Sequence, residues 1–186
     1  RLASITAELK RVGIDNFSVY PAVQGSARYR EFPELSGKRG CADSHLDVLS
    51  EARETNQPVL VLEDDVQFMV RGDQLRSLVE KFLRDDRLDA FFLDWSSTRT
   101  IKISEDFKVV TDSVLTSAYL LKQPAVSIVE KRFVTSSKQL ARGKNFPIDH
   151  AWWFAQRYQL VCVAPNTQIC KQTSGFSDIE KKYVRR

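Results

Sequence analysis

Glu63, Asp64 and Asp65 stand side by side directly after the apolar run Pro58-Val59-Leu60-Val61-Leu62. Three carboxylates in a row repel one another unless a cation sits among them. The run before them carries two β-branched valines and reads as a strand buried on both faces. Side chains two apart on a strand share a face, so Glu63 and Asp65 can converge while Asp64 points elsewhere. In open α/β sheets, ligands bind just beyond the carboxyl ends of strands. This pattern suggests a hard divalent cation, Mn2+ or Mg2+. Such an ion takes one or two protein carboxylates and fills its other positions with water and substrate phosphates. The competing reading is a strand followed by a solvated acidic turn.

The elements that must position these acids follow from periodicity. Leu2, Ile5, Leu9 and Val12 share one face of a helix over residues 1–12, and Gly13 supplies its stop. Residues 17–23 read as a short strand, held to a sheet edge or strand end by Pro21. Residues 26–39 read as polar loop. A helix is expected from about Gly40 to Thr55, with small residues and Asp43 in a first turn whose free N–H groups could face an anion. Leu75, Leu78, Val79 and Phe82 mark an amphipathic helix. Residues 88–93 are a second buried strand candidate, again ending in an acid, Asp94. Further strands are expected at residues 107–111, 115–121 and 160–164. Helices are expected from Pro124 to Phe133 and from a cap at Asp149, with a basic loop over residues 138–144 between them. The tail from Pro165 shows little periodicity. Together these make one α/β domain over residues 1–186, without internal repeats. Such a domain usually begins with a core strand, so a strand and loop are expected to precede Arg1.

With 186 residues, 42% of them hydrophobic and 28% charged, the chain can bury a core of ordinary globular kind. No run approaches a membrane span. Cys41, Cys162 and Cys170 are an odd number without metal-site spacing, which fits a reducing, cytoplasmic setting better than a disulfide framework. The net charge of +4 suits an anionic substrate or an anionic membrane surface. It is too weak and too dispersed to argue for nucleic acid. The basic tail over residues 181–186 would suit peripheral association with the inner face of an anionic membrane.

Four stretches together resemble glycosyltransferase family 25, which includes lipooligosaccharide galactosyltransferases. They are Pro21-Ala22-Val23-Gln24-Gly25, Gly40-Cys41-Ala42-Asp43-Ser44-His45 with Leu49 behind it, Val61-Leu62-Glu63-Asp64-Asp65, and Thr116-Ser117-Ala118-Tyr119-Leu120-Leu121 followed by Pro147-Ile148-Asp149-His150. Their order and spacing fit over nearly the whole chain. The resemblance implies a GT-A-like fold, a single nucleotide-diphospho-sugar-binding domain with a Rossmann-like mixed sheet flanked by helices. It also implies transfer with inversion at the anomeric carbon. The family opens with a strand ending in Asn-Leu and an Arg-rich turn, of which Arg1-Leu2 would be the tail.

On this resemblance the donor is a UDP-sugar, with UDP-galactose first among candidates, and the acceptor a glycan or glycolipid such as lipooligosaccharide. Asp65 is the first metal ligand and Glu63 the second. Asp64 would bond the ribose or hold the ion through water. Gly25, Gly40, Thr116 and Tyr119 belong to matched motifs and are placed at the donor pocket, though a strand tyrosine is usually packing. Ser44 and His45 would lie near the diphosphate; a hydrogen-bonded histidine that fixes its helix is the plain alternative for His45. Inversion needs a base for the acceptor hydroxyl. Asp149 is the candidate, kept ionised by a helix N-terminus, against the plain alternative of an N-cap. Asp94 is the reserve base, against a solvated strand-end acid. His150 and Trp152 are placed at the acceptor; of Trp152 and Trp153 only one can face it, the other being core. Two other functions compete: a glycosyltransferase-like interaction module without activity, and an aspartate-based phosphoryl-transfer domain. The latter lacks a compact Asp-x-Asp-x-Thr run, since Val66-Gln67 follow Asp65.

Overall fold

The strand Ala118–Leu121 is buried at all four positions, and its side chains divide between two separate cores. Tyr119 and Leu121 enter one, Ala118 and Leu120 the other, as strand alternation requires. A sheet apolar on both faces must be covered on both by helices. That gives the architecture: helix layer, mixed sheet, helix layer. The computed structural model describes residues 1–177 and 182–184.

In chain order the elements are α1 (Leu2–Arg11), α2 (Gly25–Arg28), α3 (Ser36–Thr55), β1 (Val59–Leu62), β2 (Val66–Phe68), α4 (Gly72–Arg84), β3 (Ala90–Phe92), β4 (Thr100–Lys102), β5 (Phe107–Val110), β6 (Ala118–Leu121), α5 (Gln123–Leu140), α6 (Ile148–Tyr158), β7 (Cys162–Pro165), β8 (Cys170–Gln172), β9 (Gly175–Ser177) and β10 (Lys182–Val184). Six strands form the main sheet in the order β1-β6-β3-β7-β5-β4. β6 runs antiparallel to both β1 and β3, while β3 and β7 are parallel. β1, β3 and β7 therefore point the same way, and the acids after β1 and β3 fall at one end of the sheet.

One face packs under α3, α5 and α6 through Leu49, Val129, Phe133, Leu140 and Trp152. The other packs under α1 and α4 through Ile5, Leu9, Leu75 and Phe82. Val61 faces the first layer and Leu60 and Leu62 pack with the second, so the next residue, Glu63, returns to the α3 side. A separate two-stranded ladder pairs β2 with β8, setting Gln172 opposite Val66. β2 follows the acidic triplet directly in sequence, and β8 brings Gln172 beside it.

Several expected boundaries move. α3 begins at Ser36 rather than near Gly40, so Gly40 to His45 lie inside the helix and offer an anion no first-turn N–H groups. The cause is packing. A Cβ on Gly40 would lie 2.5 Å from the Val23 carbonyl and 2.8 Å from the Gly25 nitrogen. The glycine lets a preceding segment lie against the second turn of the helix. α3 ends on Asn56, whose φ of 52° is the left-handed cap that Asn tolerates. Residues 17–23 form no strand. They run as exposed coil over residues 17–22, with Phe17, Val19 and Tyr20 in solvent. A strand exists through its ladder, and among the described residues β1, at one edge of the main sheet, pairs only with β6. α5 continues to Leu140 and takes up the first part of the expected basic loop. The aperiodic tail contains β8, β9 and β10, and residues 178–181, 185 and 186 lie outside the described residues.

Candidate active site

Cys41 and His45 are one helical turn apart on the face of α3 that meets the sheet. His45 is 6% exposed. Its Nδ1 lies 2.8 Å from the Tyr119 hydroxyl on β6, and its ring is stacked on that tyrosine and meets Phe133 edge-on. Its other nitrogen, Nε2, lies 3.5 Å from Glu63 Oε1. Glu63 is held one step beyond β1, its N–H donating to the Ser117 carbonyl at 2.7 Å. The Thr116 hydroxyl also reaches Glu63, at 3.4 Å.

Glu63 and Asp65 do converge. Gln172 Nε2 lies 3.4 Å from Glu63 Oε2 and 3.4 Å from Asp65 Oδ1, so one amide spans both carboxylates. The Asp65 main chain is fixed by the Thr173 N–H at 2.7 Å. Burial raises the Asp65 carboxyl above its usual range, and the Glu63 charge pushes it further. Arg1 partly offsets this. Asp64 turns the other way, exposed, with its Oδ1 3.2 Å from the Arg1 guanidinium.

Asp149 sits in the first turn of α6, and the N-cap position belongs to Pro147. The expected lowering of its pKa is not found. Burial raises its carboxyl, with the largest opposing pull from His150. Its Oδ1 accepts the His150 N–H at 2.9 Å. The Cys41 thiol is pushed well up by burial and then by the charges of Glu63 and Asp149. The half-buried Cys41 therefore lies within the field of both carboxylates.

The remaining candidates fall in different places. Asp94 is 3% exposed and accepts the Ser117 hydroxyl at 2.6 Å and the Gln168 amide at 2.8 Å. It is neither a solvated acid nor open to an acceptor. Trp152 is 1% exposed, enclosed by Phe92, Tyr119 and Phe133, and presents no face to a sugar. The half-buried Trp153 is the indole nearer the surface, 4.7 Å from the exposed His150 ring. Gly25 and Gly40 serve the close packing of α2 on α3: a Cβ on Gly25 would lie 1.8 Å from the Ser36 carbonyl. Ser44 accepts the Val23 N–H at 2.8 Å and donates to the Gly40 carbonyl. Tyr119 is fully buried and orients His45. Sequence reasoning missed Gln172, which comes from an aperiodic tail and carries no motif. It also counted Cys41 only among three cysteines without metal-site spacing, although its i,i+4 spacing to His45 was legible.

The paired carboxylates fit a hard cation. Two half-buried acids face one amide, and the charge of one raises the pKa of the other, a strain that a bound ion relieves. With a mixed sheet between two helix layers and acids gathered beyond a strand's carboxyl end, the protein has the GT-A-like layout of nucleotide-sugar transferases. The chain belongs to glycosyltransferase family 25: the family model described as glycosyltransferase family 25 (LPS biosynthesis protein) matches residues 24–152. Membership makes the protein a glycosyltransferase of lipopolysaccharide biosynthesis. The matched span holds the candidates from Gly25 to Trp152 and leaves Gln172 outside. No curated protein matches the chain. Among the described residues, no helix is long and apolar enough to cross a membrane.

Proposed function

We propose that the protein is a metal-dependent inverting hexosyltransferase, moving a hexose, galactose first among candidates, from a UDP-sugar to a glycan or glycolipid acceptor such as lipooligosaccharide. The observation that carries this reading is the convergence of Glu63 and Asp65 under one amide of Gln172. Asp65 and Glu63 would hold Mn2+ or Mg2+. When bound, the ion would neutralise charge on the departing diphosphate as a Lewis acid. Thr116 and Gln172 orient the carboxylates. Asp64, outside this pair, is exposed for contact with the ribose.

Asp149 is the base. A carboxyl with a raised pKa is a stronger proton acceptor than an ordinary aspartate, which suits removal of a proton from a sugar hydroxyl. His150 and Trp153 are the surface pair beside it and supply a polar edge and a flat apolar face for an acceptor sugar. The enzyme works on the cytoplasmic side, where nucleotide sugars are the donors, next to an anionic lipid surface.

The test is calorimetric titration with UDP and Mn2+, followed by transfer from UDP-galactose with the product's anomeric configuration read by NMR. Metal-dependent UDP binding and a β-linked product from the α-linked donor are expected. UDP binding unaffected by metal would overturn the metal-dependent reading, and retained configuration would overturn the assignment of Asp149.

A further inference from the structure

The side of Glu63 turned away from Asp65 faces a different set of atoms. Cys41 Sγ, a ring nitrogen of His45 and a carboxylate oxygen of Glu63 lie within 4.8 Å of one another, the one such His, Cys or acid group among the described residues. We infer that these three residues form a site for a borderline-soft divalent ion, Zn2+ in the first place, distinct in ligand chemistry from the acidic pair.

Three features support it. The donor set is one sulfur, one imidazole nitrogen and one carboxylate oxygen, which suits Zn2+ and is poorly matched to Mg2+. Three protein ligands leave a fourth tetrahedral position for water or substrate. The spacing is also near that of a formed site. Zinc bonds of about 2.0–2.3 Å set ligand atoms roughly 3.3–3.8 Å apart, and His45 Nε2 already lies 3.5 Å from Glu63 Oε1. Finally, the outer partner is in place. A metal-binding histidine commonly donates its second ring N–H to a fixed acceptor, and His45 Nδ1 meets the buried Tyr119 hydroxyl at 2.8 Å. That contact fixes the ring with Nε2 aimed at Glu63.

Binding exchanges a proton for the ion. The Cys41 S–H bond breaks, the proton passes to solvent and a Sγ–Zn bond forms. Because Glu63 belongs to both sets, Zn2+ held by Cys41 and His45 withdraws it from Asp65, and the soft and hard ions compete. The site does not depend on the transferase reading, which would stand or fall separately through Asp65.

The test uses the chelator-stripped protein, titrated with Zn2+ by calorimetry and with Co2+ as a spectroscopic substitute. One equivalent of each should bind, and Co2+ should give a thiolate-to-metal charge-transfer band. Cys41→Ala should lose the band and weaken Zn2+ binding, while Cys162→Ala and Cys170→Ala keep both. Tyr119→Phe, which preserves packing, should keep the band and weaken Zn2+ binding by about 10-fold. Asp65→Asn, which alters only the charge beside Glu63, should keep the band and change Zn2+ affinity far less than Cys41→Ala does. A band that survives in Cys41→Ala, or Co2+ bound without one, overturns the site, as does Zn2+ affinity that falls in Asp65→Asn but not in folded Cys41→Ala.

Discussion

β1 and β3 are neighbours of β6 on opposite sides, run in the same direction and end in acids, yet those acids have opposite surroundings. Asp94, after β3, is almost wholly buried and accepts short hydrogen bonds from Ser117 and Gln168. Glu63 and Asp65, after β1, are half-buried and share the distant amide of Gln172, and burial together with the Glu63 charge raises the Asp65 carboxyl. In both places an apolar strand runs into acid, three carboxylates after β1 and one after β3. What differs is position in the sheet. β3 lies between β6 and β7, where neighbouring elements supply donors at close range. β1 is the last strand on its side, so its tip opens toward the surface. A satisfied buried acid stabilises a fold; a partly satisfied acidic pair is poised for a cation.

The contrast can be broken at several points. Asp65→Asn should have the largest effect, lowering turnover by on the order of 1,000-fold, as expected for several kcal/mol of transition-state stabilisation, with circular dichroism unchanged. Turnover near wild type would place the tip of β1 with the tip of β3 as a structural feature. Asp149→Asn should lower kcat by about 100-fold. Asp149 must be deprotonated to act, and burial raises its pKa, so the wild-type rate should rise with pH through a limb above the ordinary aspartate range. That limb should disappear from the residual rate of the variant.

Asp94→Ala belongs to the other side of the comparison. It leaves Ser117 and Gln168 without their acceptor and should cost about 2 kcal/mol, or roughly 4–8 °C in Tm for a domain of this size. The variant should keep Mn2+-dependent UDP binding; loss of that binding with an unchanged Tm would make Asp94 part of the chemistry. The smallest effect concerns stability against pH. A carboxyl whose pKa is raised on folding favours the folded state below the unfolded pKa and loses that contribution as pH rises through the folded pKa. In metal-free protein the stability of wild type relative to Asp65→Asn should therefore fall as pH rises from below the ordinary aspartate value to above the raised one. Chemical denaturation of the two proteins across that window measures it, and a difference that stays flat would show that burial and the Glu63 charge do not raise the Asp65 carboxyl on folding.

Much of the frame was readable beforehand because it rests on local periodicity. The helix α1 just before Gly13, the amphipathic α4, the start of α5 and the strands β1, β3, β6 and β7 follow from which residues are apolar and at what spacing. The expected strand over residues 17–23 did not form, since residue types mark a segment that could pair and say nothing of whether a partner is present. The start of α3 was misplaced because a glycine inside a helix looks like a boundary. Only the approach of Val23 to Gly40 reveals it as a packing contact.

By itself, the sequence determined that apolar strands end in carboxylates, that Cys41 and His45 share a helical face, and that Glu63 and Asp65 diverge from Asp64. These are consequences of covalent spacing and of the fixed repeats of helix and strand. Tertiary structure alone decided which strand tip became a buried anchor and which an open acidic pair, that Trp152 is core, and that Gln172 arrives from about 110 residues away to span two acids. Those outcomes depend on burial and on which groups meet across the fold, quantities set by contacts between segments and carried by no single one of them.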